Sequence, residues 1–419
     1  MARAAGARGQ GGRRRVALSG PGAAAEVFDV VIVGGAVVGS AAAYFLATRL
    51  PRGARVVLLE RDPTYANCAT ARSVASIRHQ FSTPENIRLS MFGTTFLRDA
   101  ARLLEVDGEA PALGFVERGY LFLATDAGRD VLAANHRLQR AEGADVALLS
   151  PAQLRQRLPW LHTDDLAAGS LGLSGEGWLD GHALMHALRR KAVSLGVQVR
   201  RARAQALRVR SGRVVAVELA DGTALGCGHV INAAGTGATA LARSAGIELP
   251  VRARKRCVYR FRSPEPAPGC PLVIDPTGLY FRPEGDGFLC GIAPPGHDDP
   301  DQDPEAGEFD VPLEVFERDL WPLLAARVPG FEAARLLGAW AGHYDVNLLD
   351  HNAILGPHPA LPNLLFANGF SGHGLQQAPA AGRALAEWVA DGHSHSLDLG
   401  ALGWQRVVDG RPLRELNVV

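Results

Sequence analysis

The stretch Val30–Thr48, VVIVGGAVVGSAAAYFLAT, decides the fold, and it is uncharged over nineteen residues. Read as a single helix, it is almost long enough to cross the hydrocarbon core of a bilayer. Read as a strand, a glycine turn and a helix, it is the entrance to a dinucleotide-binding fold. We favour the second interpretation, because Val30–Val33 is rich in β-branched residues, Gly34-Gly35 interrupts that run, and Ser40–Leu46 is typical of a helix.

The spacing of small residues supports this interpretation. Gly34, Ala36 and Gly39 occupy the three small-residue positions of a GxGxxG pattern, where the backbone approaches a pyrophosphate at the positively polarised N-terminus of a helix. A second predicted strand, Arg55–Leu59, ends at Glu60, which lies 21 residues after Gly39. At that separation a carboxylate reaches the ribose hydroxyls of an adenosine. Ala36 stands at the position of the usual second glycine.

Further segments carry a family resemblance. The glycine turn and the following VVLLERDPTYANCATARSVASIRHQFS (residues 56–82) resemble the D-amino-acid oxidase and sarcosine oxidase superfamily, as do VINAAG (Val230–Gly235), GPHP (Gly356–Pro359) and NGFSGHGLQQAP (Asn368–Pro379). The resemblance implies FAD as the dinucleotide. It also implies an α/β fold of the D-amino-acid oxidase and glutathione reductase type. In that fold a Rossmann-type FAD-binding domain is interleaved with a substrate domain built on an antiparallel sheet.

The resemblance also implies which residues bind the cofactor. In the C-terminal loop, glycines would let backbone amides face the isoalloxazine ring, and a helix beginning near Leu375 would stabilise negative charge on the reduced ring. The complete implied FAD site consists of Gly34, Gly35, Ala36, Val37, Gly39, Glu60, Arg61, Thr70, Ala71, Ser73, Gln205, Ala234, Gly235, Gly369, Ser371, Gly372, His373, Gly374 and Leu375.

Four residues are candidates for a catalytic or substrate-binding role. Sarcosine oxidases hold the substrate carboxylate with an arginine in the segment that matches Arg78, although Arg78 could instead pair with an internal acid or an FAD phosphate. Glycine-oxidase-like members have an arginine where this chain has His343, and sarcosine oxidases have a lysine where it has Gln376. We expect Tyr280 to line the substrate cavity. The two replacements leave fewer cations for an amino-acid carboxylate.

The resemblance bears on flavin attachment and oxygen reactivity. The expected tethering cysteine is replaced by His343, and the histidine of another subgroup has no counterpart near Ala71. We therefore expect non-covalent FAD, with a tether through His343 as the alternative. Oxidases of the sarcosine type use a lysine above the ring, whereas the only lysines here are Lys191 and Lys255. We expect a dehydrogenase of a CH–NH donor, rather than a fast oxidase, if the protein is an enzyme.

A narrower resemblance involves IRHQFSTPENIRLSMF, RKRCVYRF, WAGHYDVNLLDHNAILGPHP and GFSGHGLQQAP, in that order. These segments resemble a mitochondrial branch of the superfamily that is required for assembly of respiratory complex I, with similarity from about Phe28 to Val419. The resemblance implies complex I subunits or assembly intermediates as partners and a peripheral position on the matrix side of the inner membrane. The alternative function is a flavin dehydrogenase of an N-methylated or free amino acid.

Composition agrees with a folded flavoprotein. The chain has 419 residues, 47% of them hydrophobic, which is enough for two domains that share one cofactor cleft. Its net charge of +1 lacks the excess of positive charge that is typical of proteins that bind nucleic acid. Five scattered cysteines suggest a reducing compartment and no metal cluster. Residues 1–25 contain five arginines and no acid, which is typical of a mitochondrial transit peptide, with a disordered tail as the alternative.

The order of the predicted elements suggests that the two domains interleave. We assign 26–110, 171–246 and 336–419 to the FAD-binding domain, and 111–170 and 247–335 to the substrate-side domain. Two helix starts are predicted from capping patterns: a Ser82-x-x-Glu85 capping box around Pro84, and Asp180.

Overall fold

The computed structural model describes residues 26–416, so the predicted transit or tail segment 1–25 lies outside the described residues. The strands, in chain order, are β1 Val27–Val33, β2 Val56–Glu60, β3 Ser76–Ile77, β4 Tyr120–Ala124, β5 Val146–Leu149, β6 Ala168–Gly172, β7 Gly177–Trp178, β8 Gln198–Arg201, β9 Ala204–Arg210, β10 Arg213–Leu219, β11 Ala224–Asn232, β12 Val251–Arg262, β13 Leu272–Ile274, β14 Tyr280–Glu284, β15 Gly287–Gly291, β16 Asp301–Gln302, β17 Arg335–Asn347, β18 Ile354–His358 and β19 Leu361–Asn368. The α-helices are α1 Val37–Arg49, α2 Pro84–Leu103, α3 Arg129–Ala141, α4 Pro151–Arg157, α5 Gly181–Ser194, α6 Ala238–Arg243, α7 Trp321–Arg327, α8 Gly374–Asp391 and α9 Trp404–Val408.

The decisive stretch forms the strand, turn and helix that its sequence predicts. β1 ends at Val33, the chain turns, and α1 begins at Val37. Within residues 26–416, the structure contains no helix that is both long enough and apolar enough to cross a membrane. The interpretation of this stretch as a single helix is therefore wrong.

The first sheet places the cofactor turn at its centre. Its strand order is β18-β19-β11-β1-β2-β8, and β10 pairs with β11 at one end of that strand. β1 is parallel to β2 and β11, so the carboxyl ends of all three strands reach the same edge. That edge is where open α/β sheets bind ligands. Helices α1, α2, α5 and α8 contribute to the apolar core on one face of this sheet.

The second sheet follows the order β16-β12-β15-β14-β13-β4-β6-β5, and β17 pairs with β12. Its pairs are antiparallel except for β13 with β4. The predicted substrate-side sheet is therefore largely antiparallel. β17, Arg335–Asn347, lies in this second sheet, whereas the sequence assigned 336–419 to the FAD-binding domain. The chain returns to the first sheet only at β18, because β17 pairs with β12 along most of its length.

The two predicted helix caps have different outcomes. The Asp180 cap is confirmed, since its Oδ1 accepts a hydrogen bond of 2.9 Å from the backbone N–H of Ala183. The Ser82 capping box is wrong: α2 begins after Thr83, and no side chain caps it. Ser82 Oγ instead accepts from the N–H of Leu416 at 2.7 Å, while Glu415 accepts from the N–H of Ser82. The hydroxyl and the backbone N–H of Ser82, which the capping box requires, therefore both bond to the C-terminal segment.

Helices α1 and α8 approach closely because the residues between them are small. Ala41, Ala42 and Ala381 are fully buried. A Cβ added at Gly382 would lie 2.6 Å from the carbonyl carbon of Ala41 and 2.8 Å from the nitrogen of Ala42. This contact fixes the distance between the helix that follows the cofactor turn and the helix that follows the C-terminal loop.

We expect Gly382→Ala to lower the free energy of unfolding by about 1–3 kcal/mol, because backbone atoms of α1 must move to admit a methyl group. Urea denaturation measures the change. Gly338→Ala is the matched control, since an added Cβ there meets no atom within 4 Å. Equal stability of Gly382→Ala and the wild type would contradict the close packing.

Candidate functional site

The turn between β1 and α1 brings backbone atoms unusually close together. Gly34 has φ +100°, and a Cβ on it would lie 2.3 Å from the carbonyl oxygen of Ala233. A Cβ on Gly39 would lie 1.8 Å from the carbonyl oxygen of Gly34. Both positions therefore require glycine. The sequence predicts small residues here because the backbone approaches a pyrophosphate; the structure shows that contacts within the protein backbone already require glycine at Gly34 and Gly39.

The N-terminus of α1 is suited to an anion. Ala36 at the N-cap offers no side-chain cap, and the first turn contains no acidic residue. The N–H of Val37 has a long contact of 3.4 Å with Thr70 Oγ1. The positive end of the helix dipole therefore faces the cleft without a side-chain cap or an acidic residue in its own first turn, as a phosphate-binding terminus does.

Glu60 lies at the end of β2, beside this turn. Its Oε2 accepts from the N–H of Gly35 at 2.8 Å, and its Oε1 accepts from the N–H of Asp62 at 2.8 Å. These two bonds hold the carboxylate at the wall of the cleft. A carboxylate oxygen accepts more than one hydrogen bond, so each retains capacity for a ribose hydroxyl.

Three adjoining cavities form a channel from the first sheet toward the second. The outer cavity, about 500 Å³, is lined by Gly34, Ala36, Glu60, Tyr65 and Gly235 among others. The middle cavity, about 80 Å³, shares Ala36, Ala69, Ala233, Gly235 and Asp345 with the outer one. The inner cavity, about 70 Å³, shares Ser73, Tyr344, Gly372 and Leu375 with the middle one. The middle cavity therefore adjoins both of the others, which places the three cavities in one row.

The C-terminal loop wraps the middle of this channel. Gly369, Ser371 and Gly372 all have positive φ. Asp345 Oδ2 accepts from the N–H of Gly369 at 2.7 Å, and burial raises the pKa of Asp345 to about 6. The helix predicted to begin near Leu375 is confirmed, because α8 starts at Gly374. The loop thus presents its backbone and the start of a helix to the channel.

The inner cavity contains a buried cation. Arg78 is 2% exposed, and its Nη2 donates to His373 Nε2 at 2.9 Å. Because arginine has no acceptor, His373 must be neutral with its proton on Nδ1. Burial and the Arg78 charge agree with this, since they hold the pKa of His373 well below its ordinary value. The backbone N–H of Arg78 donates to Gln376 Oε1 at 2.8 Å.

Aromatic rings complete the inner cavity. Tyr120, Tyr280 and Tyr344 line it, together with Leu272 and Ile274. Burial raises the pKa of each of the three phenols, so all three are neutral at physiological pH. The cavity therefore offers one guanidinium and neutral hydroxyls, a combination suited to a small molecule with an anionic group.

A carboxyl group that sequence reasoning missed supports this cavity from beneath. Glu176 is fully buried and accepts from the N–H groups of His79 (2.6 Å), Gln80 (3.1 Å) and Tyr120 (3.2 Å). It thereby fixes the backbone beside Arg78 and the backbone of Tyr120. Burial raises the pKa of Glu176 to about 7, while the N–H donors and Arg78 oppose that rise. Glu176 stands alone between two glycines, and nothing in its spacing signals this role.

The predicted site residues separate into groups. Arg78, Tyr280, Gln376, Ser371 and His373 meet at the inner cavity, whereas His343 lines the outer cavity and is not brought together with them. Gln205 lines an adjoining cavity beside Glu60 and Arg203. Ala71 is exposed and lines none of the described cavities. Other predicted cofactor residues line the outer or middle cavity: Gly34, Ala36, Val37, Glu60, Arg61, Thr70, Ser73, Ala234, Gly235, Gly372, Gly374 and Leu375.

Comparison with known proteins identifies the family. A family model described as FAD dependent oxidoreductase (DAO) matches residues 29–388. The chain belongs to the DAO family of FAD-dependent oxidoreductases. FAD-dependent oxidoreductase domain-containing protein 1 of Bos taurus is 41% identical and covers 93% of this chain and 87% of its own length. Sarcosine dehydrogenase, mitochondrial, of Mus musculus is 29% identical and covers 87% of this chain and 40% of its own length.

A solved structure shows the same fold. L-proline dehydrogenase from P.horikoshii superimposes with a TM-score of 0.80 at 24% identity, over 93% of this chain and all of that one. The predicted fold class and cofactor are confirmed. The channel fits FAD, since glycines allow backbone contact at the outer cavity, an uncapped helix terminus faces it, and Glu60 lies at its wall. Among residues 26–416, no cluster of His, Cys, Asp and Glu could hold a metal ion.

The raised pKa of Glu176 predicts a pH dependence of stability. The folded protein holds the Glu176 proton more tightly than the unfolded chain does, since its pKa rises from 4.5 to about 7. This contribution is present below the unfolded pKa and is lost as the pH rises through about 7. The free energy of unfolding of the wild type should therefore fall between about pH 5 and about pH 8 in part because Glu176 loses its proton. We expect Glu176→Gln to lack this part of the decrease, as measured by urea denaturation at each pH.

Glu176→Gln also places an amide N–H₂ opposite backbone N–H donors, so we expect it to be less stable than the wild type at about pH 5, by about 1–3 kcal/mol. Glu248→Gln is the control, because Glu248 is an exposed partner of Arg243. An unchanged pH slope in Glu176→Gln would refute the buried titration.

Proposed function

We propose that this FAD-dependent oxidoreductase acts in mitochondria, where it assists assembly of respiratory complex I. The proposal rests on the segments that resemble the branch required for this assembly, IRHQFSTPENIRLSMF and GFSGHGLQQAP among them. Similarity to the bovine relative at 41% identity over 93% of the chain supports it. Because the match covers nearly the whole of both chains, it extends beyond the cofactor-binding part. This favours a role shared by the whole protein. The proposed partners are complex I subunits or assembly intermediates. The proposed location is the matrix side of the inner membrane, with peripheral attachment.

The channel supports a structural role for FAD in this function. Walls of the outer cavity come from the first sheet and also from residues beside the second sheet, including Glu305 and Phe309. A ligand that binds only the folded state stabilises it by mass action, by about 3 kcal/mol at a hundredfold excess over Kd. Bound FAD would therefore hold both sheets in the arrangement that a partner recognises.

A second candidate function is oxidation of a CH–NH bond in an N-methylated or free amino acid. The observation that favours it is the inner cavity, where Arg78 lies beside Tyr280 and Tyr120. FAD supplies the hydride acceptor in such a reaction. The protein would bind the substrate carboxylate through Arg78, exclude water with aromatic rings, and orient the C–H bond toward the ring. His343 and Gln376 add no second cation to the cavity.

Lysine positions favour a dehydrogenase over a fast oxidase. Lys191 Nζ donates to the carbonyl of Glu105, and Lys255 Nζ donates to the carbonyl of Asp310. Neither lysine lines the inner cavity. We therefore propose that electrons leave to an acceptor other than oxygen. We also propose that FAD is bound non-covalently, because His343 stands where relatives have the tethering cysteine.

Complementation tests the assembly proposal. In cells that lack the protein, we expect the wild type to restore complex I on native gels. We expect Gly39→Val, whose side chain would collide with the Gly34 carbonyl, to fail because it excludes FAD. Arg78→Ala separates the two functions: restoration of complex I without substrate oxidation would show that assembly does not need turnover. Normal complex I in cells without the protein would rule out the assembly role.

Anaerobic titration tests the dehydrogenase proposal. We expect a panel of N-methylated and free amino acids to bleach the flavin absorbance of the wild type. Arg78→Ala should weaken the apparent affinity about a hundredfold, since charge-assisted hydrogen bonds contribute about 3 kcal/mol. Arg78→Lys keeps the charge and guards against misfolding. Arg129→Ala, an exposed partner of Asp126, is the control. Absence of bleaching with every amine, or rapid peroxide production, would contradict this candidate function.

A further inference from the structure

A segment between β15 and α7 lies over the outer cavity. Its residues Pro304, Glu305, Gly307 and Phe309 form part of that cavity's wall. No glycine motif or strand pattern identifies this segment as part of a cofactor site. We refer to residues 303–309 as the strap.

The strap is attached at both ends to β12 of the second sheet. Before it, Asp299 forms a bidentate ion pair with Arg256, with distances of 2.7 and 2.9 Å. Asp301, in β16, pairs with Arg254 at 2.9 Å. After it, the carbonyl of Asp310 accepts from Lys255 Nζ at 3.3 Å. The strap is therefore a loop with two fixed ends on one strand.

The middle of the strap contacts residues at strand ends of the first sheet through one carboxylate. Glu305 Oε1 pairs with Arg61 Nη1, and Glu305 Oε2 pairs with Arg203 Nη1 at 2.8 Å. Arg61 directly follows Glu60 at the end of β2, and Arg203 lies between β8 and β9. The Glu305 side chain is 44% exposed, so each pair is weak alone and sensitive to salt. The Glu305 carboxylate nevertheless bonds to two segments of the first sheet, at Arg61 and at Arg203.

A second contact holds the end of the strap. The guanidinium of Arg72 lies 4.1 Å from the centroid of the Phe309 ring, and the His343 ring stacks on Phe309 at 4.6 Å and 23°. His343 Nε2 donates to the carbonyl of Glu308 at 3.0 Å. Arg72 is itself fixed, since its Nη1 donates to the carbonyl of Ala341. This arrangement gives His343 a position in the outer cavity as a support for Phe309.

We propose that the strap is a cofactor-binding element that encloses the adenosine half of FAD from the side of the second sheet, with Glu305 as its ion-pair closure and Phe309 as its apolar wall. This role requires that FAD occupies the outer cavity, next to Glu60. FAD then leaves only when the Glu305 pairs open and Phe309 moves. The strap controls how fast the cofactor dissociates, and dissociation becomes faster as salt screens the pairs.

The test measures release of FAD from the holoprotein, followed as the rise in flavin fluorescence after dilution at low and at high salt. We expect Glu305→Gln to release FAD about tenfold faster at low salt and to lose most of the salt dependence. We expect Phe309→Ala to release FAD faster while keeping most of the salt dependence, because the Glu305 ion pairs remain.

A matched control is available on the same sheet. Asp286 also bridges two arginines, Arg260 and Arg262, but lines none of the three cavities. We expect Asp286→Asn to release FAD at the wild-type rate. We expect Arg203→Gln to accelerate FAD release. The double variant Arg203→Gln/Glu305→Gln should release FAD at most twofold faster than Glu305→Gln alone, because the two residues act through one contact.

Release from Glu305→Gln at the wild-type rate and with the wild-type salt dependence would overturn the proposal. Flavin that stays with the protein pellet after acid precipitation would also overturn it, because a tethered cofactor cannot be controlled by the strap. A folded protein that takes up no FAD would refute both the strap and the cofactor site. FAD content and release rate thus distinguish failure of the site from failure of the strap.

Discussion

The backbone contact between the glycine turn and the end of β11 is the constraint on which the rest of the structure depends. A Cβ on Gly34 would collide with the Ala233 carbonyl, and one on Gly39 would collide with Gly34. Only because both side chains are absent can β1, β11 and the N-terminus of α1 converge on one point. The outer and middle cavities open at that point. A larger residue there would separate the strands and remove the phosphate-binding terminus together.

The inner cavity depends on a different balance, between burial and charge. Arg78 is a buried cation held by the neutral His373, and the buried Glu176 lies beneath the adjoining backbone. In an environment of low dielectric, such groups are stable only when their acceptors and donors are fixed. The second sheet supplies Tyr120, and the C-terminal loop supplies His373. Three distant chain segments therefore preorganise one small cavity.

Part of this site could be predicted because it depends on local chemistry. The glycine turn, the strand that ends in Glu60, and the helix that starts near Leu375 all follow from residue type and spacing within one stretch. Glu176 and Glu305 could not be predicted this way. Each acts through backbone or side chains far away in the sequence, and a single acid in a loop has many possible partners. The same holds for His343. Its resemblance to a substrate-binding position did not reveal that it lines the outer cavity instead of the inner one.

The sequence by itself determined that Val30–Thr48 is a strand, a turn and a helix, because only small residues permit the close backbone approach and β-branched residues favour the strand. It also determined the α/β class and FAD as the cofactor. The tertiary structure alone decided that β17 joins the second sheet, that Ser82 bonds to the C-terminal segment, and that the strap crosses the outer cavity. Each of these depends on which distant partner competes best for a donor, an acceptor or a charge, and local sequence does not contain that information.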